Sequence, residues 1–319
     1  MKTRKLGRSD VEITPILMGT WQAGKSMWAG IEDAESINAI RAGIEAGITT
    51  IDTAEEYGDG HSERIVARAV GGLRDRVVYA TKVFANHLKA DQVIAACDGS
   101  LKNLNTDYID LYQIHWPSGS WGSEVVPIEE TMNALNTLKE QGKIRAIGVS
   151  NFSRAQLAEA SQYGQIESVQ PPYSLFWRQI EAELMPYCVE QNISILAYSS
   201  LAQGLLTGKF GRSYQLAEGD HRSHNKLFQP QNYQRVQDAL DRLRPLAARK
   251  GCSLAQLALA WAIAQPKTQA IAGARNAAQS TANARAAEVR LSPEDLAQID
   301  AIGRSVTDHL DANPVLWEF

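Results

Sequence analysis

Ile48-Thr-Thr-Ile-Asp52-Thr-Ala-Glu-Glu-Tyr57-Gly58 opens with four residues rich in β-branched side chains, the composition of a buried strand. A carboxylate follows at once, and a tyrosine stands five positions further on, beside a glycine. Read alone, Asp52 could cap a turn and Tyr57 could be an ordinary half-buried aromatic. At the carboxyl end of a parallel strand, the same two groups would occupy the edge where α/β proteins do their chemistry. The sequence on either side decides between these readings.

Working outward, strand and helix patterns alternate. Before the stretch come two short alternating pieces around Gly7, Arg4-Lys-Leu and Val11-Glu-Ile13, with the pattern of a hairpin. A short strand over 16–20 follows, then a loop carrying Trp21 and Gly30, then a helix over 33–46 with acids in its first turn and Gly47 past its end. After the strand at 48–51 the spacing predicts a helix over 62–70, a strand over 77–82 and a helix over 91–104. Next come strand 108–115, helix 128–140, strand 144–149 and helix 154–162 capped by Ser153. Strand 168–170, helix 180–190, strand 193–198, strand 269–272 and helix 277–286 complete the run. Eight strands, each followed by a helix or by an insert containing one, imply parallel β/α units. That number fits a (β/α)₈ TIM barrel over residues 1–319 as a single domain, plugged at its bottom by the N-terminal hairpin. Two helices beyond the repeat are expected at 233–249 and 253–265, after a long polar segment at 201–232 of the kind used as a lid or binding loop. A last capped helix begins at Ser292.

Composition narrows the function classes. The chain has 319 residues, 44% hydrophobic and 21% charged, with a net charge of −4. That is an ordinary soluble composition, with no electrostatic footprint for nucleic acid or an anionic membrane. The start has no apolar core of signal-peptide length after its basic residues, and the longest nearly apolar stretch, 254–264, is far short of a membrane span. Cys97, Cys188 and Cys252 lie far apart, without metal-ligand or redox spacing, and are expected to be reduced. A cytoplasmic protein, monomeric or weakly oligomeric, is the expectation.

Polar residues at strand carboxyl ends are the functional candidates on such a barrel: Asp52 and Tyr57, then Lys82, then His115. Singly, each has a plain structural explanation; together, on three consecutive strands at one face, they suit one task. A phenol is a poor acid at neutral pH. A nearby ammonium lowers its pKa, and Asp52 would keep Lys82 charged and in place. His115 would donate to a substrate oxygen. The set suits protonation of a carbonyl oxygen as negative charge develops on it, with the electron pair arriving from elsewhere; with no metal-ligand spacing in view, a nicotinamide hydride is the natural source. The usual phosphate fingerprints are missing. Gly58-Asp-Gly60-His-Ser-Glu63 has glutamate at the third Rossmann position, and Gly204-Leu-Leu-Thr-Gly208-Lys209-Phe210 is not a P-loop.

Asp52-x₄-Tyr57, Lys82 and His115 resemble, in order and spacing, the catalytic tetrad of the aldo-keto reductases. The surrounding words agree over essentially the whole chain: Leu104-x-Thr-Asp107-Tyr-Ile-Asp-Leu-Tyr-Gln-Ile-His115-Trp-Pro and Gly142-Lys-Ile-Arg-Ala-Ile-Gly148-Val-Ser-Asn151-Phe. Trp21 with Met27-Trp28, and Gln170-Pro-Pro-Tyr-Ser-Leu-Phe, are similar to the bacterial group of the general stress protein and the inositol-operon reductase-like proteins. The resemblance implies an NADP(H)-dependent reductase of aldehydes and ketones in which Tyr57 is the general acid. Thr20, Trp21 and Asp52 would line the cofactor, Ser150, Asn151 and Gln170 would hold the nicotinamide carboxamide, and Tyr198 would stack on its ring. Ser199, Ser200, Leu201, Ala202, Gln203, Gly204 and Lys209 would wrap the pyrophosphate, with Arg222 reaching in from the insert. Gly273, Ala274, Arg275, Gln279 and Asn283 would grip the adenosine end. Members of mammalian type carry a Lys-Ser pair and a further arginine there; this chain has only Arg275 as an evident partner for a 2′-phosphate, so NAD(H) is the second choice. The family also includes potassium-channel β-subunits that act mainly as partners. An intact tetrad with no appended N-terminal segment implies an enzyme instead. Trp21, Trp28, Trp116, Trp121 and Leu316-Trp317 fit either an apolar pocket suited to aldehydes or plain packing.

Overall fold

The computed structural model describes residues 1–25, 30–216 and 220–313. Met27, Trp28, Leu316 and Trp317 lie outside the described residues. In chain order the elements are β1 (Arg4–Lys5), β2 (Glu12–Ile13), β3 (Ile16–Gly19), α1 (Asp33–Glu45), β4 (Thr50–Asp52), α2 (His61–Val70), β5 (Val78–Val83), α3 (Ala90–Leu104), β6 (Ile109–Ile114) and α4 (Ile128–Glu140). They continue with β7 (Ile144–Ser150), α5 (Arg154–Ala160), β8 (Ser168–Gln170), α6 (Leu184–Gln191), β9 (Ser194–Ala197), α7 (Pro230–Arg249), α8 (Leu254–Ala264), β10 (Thr268–Gly273), α9 (Ala277–Arg285) and α10 (Pro293–Thr307). Strands β3 to β10 close into a parallel barrel, with β10 pairing back onto β3. β1 and β2 form the separate antiparallel hairpin. The expected (β/α)₈ barrel and its N-terminal hairpin are both present.

Period-2 alternation divides the strands between two cores. Leu17, Ala80, Leu111, Ala146, Leu196 and Ile271 face into the barrel and pack with Leu6, Val11 and Ile13 of the hairpin. Their neighbours Met18, Tyr79, Tyr112, Ile147, Ile195 and Ala270 face outward into a much larger cluster shared with the helices. The hairpin is pinned at the bottom by Gly7 N–H donating to Ser194 Oγ at 2.9 Å and Arg8 N–H donating to Glu167 Oε2 at 2.7 Å. No helix among the described residues is long and apolar enough to cross a membrane.

Local departures from the expected boundaries have physical causes. The strand expected at 48–51 runs instead from Thr50 to Asp52. Ile48 N–H donates to Gly43 O at 2.8 Å and so completes the end of α1. Asp52 pairs with Gly19 on one side and Ala80 on the other, which places it inside the strand rather than after it. The helix expected at 180–190 is broken into a 3₁₀ turn (Gln179–Glu181) and α6. α7 starts earlier than expected because Pro230 occupies its first turn, where a missing N–H costs nothing.

The bottom of the barrel carries its own charged knot. Asp110 is buried on β6 and accepts from Arg74 Nη2 at 2.8 Å, Arg145 Nη1 at 2.9 Å and Tyr79 N–H at 2.9 Å. Arg74 lies over the rings of Tyr79 and Tyr108, 4.3 and 4.0 Å from their centroids. Removing the anion leaves the buried Tyr79 N–H unpaired and takes one acceptor from each arginine, while Arg74 keeps Val77 O and Tyr108 O and the half-exposed Arg145 keeps Asp10, a loss of about 1–3 kcal/mol. Asp110→Ala should therefore lower the melting temperature by several degrees or more while leaving activity per folded molecule unchanged. Thermal unfolding read by circular dichroism checks this, and an unaltered transition would remove Asp110 from the stability of the fold.

Candidate active site

At the opposite, carboxyl end of the barrel the interior turns from apolar to polar. Asp52 ends β4, Lys82 lies next to the end of β5, and His115 follows β6. Lys82 is fully buried, and its ammonium places all three protons: on Asp52 Oδ1 at 2.7 Å, on Thr53 O at 2.7 Å and on Tyr57 Oη at 3.4 Å. Tyr57 reaches it from the turn between β4 and α2, which is closed by Tyr57 N–H donating to Ala54 O and Ser62 N–H donating to Tyr57 O. This turn needs its glycines. A Cβ on Gly58, at φ +67°, would sit 2.2 Å from Gly24 O, and one on Gly24 would sit 2.6 Å from the Tyr57 carbonyl carbon. Backbone thus packs directly on backbone, and the 3₁₀ turn Trp21–Gly24 backs the tyrosine loop.

His115 completes the cluster. Its ring meets those of Tyr57 and Phe84 edge-on, with centroids 5.6 and 5.4 Å away. Its main chain is fixed by donation to Val83 O at 2.9 Å and by Asn151 Nδ2 donating to His115 O at 3.0 Å. The ring Nδ1 is buried and has no hydrogen-bond partner among the described residues.

Burial and charge act on these groups in opposed directions. Burial alone would discharge Lys82, but Asp52 and Tyr57 outweigh it and hold the ammonium above its ordinary pKa. Burial raises Tyr57, against the pull of Lys82. Lys82 does pull the phenol down, as expected, but desolvation is the larger effect, so the net shift is upward and the resting group is the neutral phenol. Burial, followed by the charge of Lys82, holds His115 well below the usual imidazole range, so its ring is neutral.

Beside this cluster stand the residues expected around a nicotinamide. Ser150 Oγ donates to Gln170 O at 2.8 Å, and Asn151, at φ +61°, accepts from Tyr198 Oη at 2.8 Å. Gln170 turns its Nε2 to Asp52 Oδ2 at 2.9 Å. The Thr20 hydroxyl is buried and committed to Asp52 O at 3.0 Å and Ser62 Oγ at 2.8 Å, so Thr20 braces Asp52 from behind. Trp21 is half-buried at the start of the neighbouring turn.

A second group gathers over the ends of β9 and β10. Ser199, Ala202 and Gln203 have φ of 51°, 48° and 52°, followed by Gly204 at 95°. Left-handed backbone in L residues costs about 1–3 kcal/mol each, and such turns form the concave backbone cradles that take anions. Ser200 is held by donation to Ile271 O at 2.6 Å, and Leu201 opens the 3₁₀ turn Ala202–Thr207. Asn225 Nδ2, from the insert, donates to Gln203 Oε1 at 3.1 Å, while Gln203 Nε2 is buried with no partner among the described residues. Lys209 is held below its usual pKa by burial and then by the charges of Arg222 and Arg275. Three cations therefore converge here. Arg222 is tied to Asp220 and lies 5.1 Å over the Phe210 ring. Past Gly273 and Ala274, the Arg275 N–H donates to Gln279 Oε1 at 2.9 Å, and Asn283 Nδ2 donates to Gly273 O at 3.1 Å. Gln22 ties the Trp21 turn to this end by donating to Ala274 O at 2.8 Å.

Gln113 escaped the sequence reading. It is buried inside the barrel with its Nε2 3.4 Å from Asp52 Oδ2. The signal available was parity: Gln113 is two residues before His115 on one strand, and so shares its face. Trp116 and Trp121 do meet edge-on, with centroids 5.5 Å apart, and Trp121 is 56% exposed.

The arrangement matches known proteins throughout its length. Residues 15–304 fit the family described as Aldo/keto reductase family. The chain is 39% identical to the aldo-keto reductase YhdN of Bacillus subtilis (strain 168) over 95% of this chain and 93% of that protein. It is 36% identical to the NADH-specific methylglyoxal reductase of Escherichia coli (strain K12) over 92% and 96% respectively. The glycerol dehydrogenase AKR11B4 from Gluconobacter oxydans superposes with a TM-score of 0.89 at 34% identity over 97% of both chains. An aldo/keto reductase from Klebsiella pneumoniae in complex with NADP and acetate does so at 0.75 and 34% identity, over 94% of this chain and 95% of that one. The chain belongs to the aldo/keto reductase family of oxidoreductases.

Proposed function

We propose that the protein reduces aldehydes or ketones to alcohols with NADP(H), and that Tyr57 is the proton donor. The observation that carries this reading is the buried contact of Lys82 with both Asp52 and Tyr57 at the mouth of the barrel. The residues present suit a dinucleotide. Left-handed backbone at Ser199 and again at 202–204 offers an anion cradle, and the charges of Arg222 and Arg275 already bear on Lys209, a gathering of cations that suits a polyanion. Ser150, Asn151 and Gln170 would hold the carboxamide, Tyr198 the ring, residues 199–204 with Lys209 and Arg222 the pyrophosphate, and Arg275, Gln279 and Asn283 the adenosine end. When bound, the nicotinamide supplies the hydride that no side chain here can provide.

The chain's own groups manage the proton. Tyr57 gives up its hydroxyl proton to the substrate oxygen as negative charge accumulates there. Lys82 stabilises the phenolate left behind, and Asp52 keeps Lys82 charged. His115, neutral, offers an N–H to the same oxygen without drawing the proton away. The names of two relatives, a methylglyoxal reductase and a glycerol dehydrogenase, support small polar carbonyl and alcohol substrates. The NADH-specific name of one and the NADP complex of another structure leave Arg275 as the residue on which cofactor preference turns.

Tyr57→Phe should cost about 10²–10⁴-fold in carbonyl reduction, the usual worth of a positioned proton donor, with NADPH affinity nearly intact. Turnover at the original rate would end the assignment. Because burial holds His115 neutral and Tyr57 protonated, kcat/KM for reduction should run flat through pH 6–8 and fall only on the alkaline side, while alcohol oxidation, which needs the phenolate, should rise with pH. An inflection near the ordinary histidine value of 6.5, absent in His115→Gln, would contradict that electrostatic picture. Arg275→Ala should weaken NADPH by more than NADH, by roughly ten- to a hundred-fold for one lost charged hydrogen-bonding partner. Equal losses in fluorescence titrations with the two cofactors would show that Arg275 does not read a 2′-phosphate.

A further inference from the structure

Beneath the Lys82–Asp52 pair lies a buried polar layer to which the proton transfer above gives no task. Gln113 is fully buried on β6, opposite Lys82 on one side and Gly148 on the other. A carboxamide in that place costs stability unless its polar atoms are paired. They are: Gln113 Nε2 faces Asp52 Oδ2 at 3.4 Å, and Gln113 Oε1 accepts from Gln170 Nε2 at 3.3 Å. Gln170 Nε2 also donates to Asp52 Oδ2 at 2.9 Å. Space for the side chain comes from Gly148, where a Cβ would lie 2.9 Å from Gln113 Cγ and 2.5 Å from Ser168 Oγ.

Two consequences follow from the donor count. The oxygens of Asp52 are divided, Oδ1 serving Lys82 and Oδ2 serving the two carboxamides, so the carboxylate cannot rotate without losing both sets of bonds. Both N–H groups of Gln170 are spent on the barrel floor, which leaves its Oε1 for a ligand. Gln170 can then meet a bound carboxamide only as an acceptor.

We propose that Gln113 is a positioning residue, locking the carboxylate of Asp52 under Lys82 and fixing the sense in which Gln170 presents its amide to the cofactor. The proposal rests on Tyr57 being the proton donor. The ionisable groups that face this layer are Asp52 beside it and Lys82, Tyr57 and His115 above; Ser168 contributes a hydroxyl alongside.

The test uses Gln113→Leu and Gln113→Glu in the whole protein, with Tyr57→Phe as control. It measures kcat/KM for a simple aldehyde across pH, cofactor dissociation constants by tryptophan fluorescence, and thermal unfolding. Gln113→Leu should lose roughly ten- to a hundred-fold in kcat/KM, the range for one hydrogen bond to a charged group. Its alkaline limb should move to lower pH, because a loosened Asp52 holds the Lys82 proton less firmly, and NADPH should bind more weakly. Gln113→Glu should approach the parent at low pH, where the added carboxyl is protonated and can donate as the amide does, and should fail as pH rises and sets a second charge against Asp52. A purely structural role would give losses that follow the melting temperature, with the parent's pH profile and cofactor affinity; that result overturns the proposal. If Gln113→Leu does not fold, the pH dependence of Gln113→Glu decides alone. Should Tyr57→Phe be inactive while both Gln113 variants keep the parent profile, only the role of Gln113 falls. Should Tyr57→Phe remain active, the proton-donor reading falls with it.

Discussion

The mouth of this barrel is organised by one buried cation. An ammonium with no solvent access costs several kcal/mol unless every proton is accepted, and Lys82 finds its acceptors on a single neighbouring strand and loop: Asp52, Thr53 and Tyr57. That demand explains local features that otherwise look unrelated. Asp52 must be in the strand, with its backbone fixed by Gly19 and Ala80, so that its carboxylate points inward. The loop after it must fold back, so Gly24 and Gly58 let two backbones touch. Thr20 and Ser62 then fill the space behind with hydroxyl bonds rather than apolar contacts. The same burial that makes Lys82 expensive to hold keeps the phenol of Tyr57 protonated, and a proton donor must begin in that state.

Stability and site chemistry occupy opposite ends of the barrel, and β6 spans the division. Near its start Asp110 faces outward and gathers Arg74 and Arg145. Leu111 packs inside with the hairpin plug. Gln113 lies in the polar floor beneath Asp52, and His115 emerges at the mouth. Residues two apart share a face, so Leu111, Gln113 and His115 climb from apolar core to polar floor to reacting surface. The larger apolar cluster between strands and helices carries the fold, which frees the narrow interior to hold polar groups at one end.

Much of this was legible in the sequence, and the reasons for the rest are specific. Alternating strand and helix periods gave the barrel, and the polar residues at strand ends gave Asp52, Tyr57, Lys82 and His115. The boundary at Ile48 was not legible, because a β-branched residue completing a helix end looks like the first residue of a strand. The break at 182–183 was signalled by Pro186, which fits only the first turn of a helix and so requires a new start near Leu184. The sign of the Tyr57 shift depends on how deeply the phenol is buried, which no spacing rule reports. Gln113 was quoted within a family motif but assigned no role, since a single glutamine in a strand is as consistent with an outward surface as with a polar floor. Its parity with His115 was the signal available, and the register of Gln113 against Lys82 places it in the floor.

The group over the ends of β9 and β10 follows a different physical logic from the cluster around Lys82. Around Lys82 the charges are balanced by the chain itself, so the cluster is complete without a ligand. Over the ends of β9 and β10 the charges of Arg222 and Arg275 lower the pKa of Lys209, and the backbone holds successive left-handed residues at 202–204 that ordinary turns avoid. Both features raise the energy of the free protein, and both are relieved by the same partner, a polyanion with several acceptor oxygens. On the proposed reading, part of the intrinsic affinity for a dinucleotide is thus stored as backbone strain at Ser199 and 202–204 and as repulsion on Lys209, and is released on binding. Gln22, bonded to Ala274 from the turn that backs Tyr57, links the two groups.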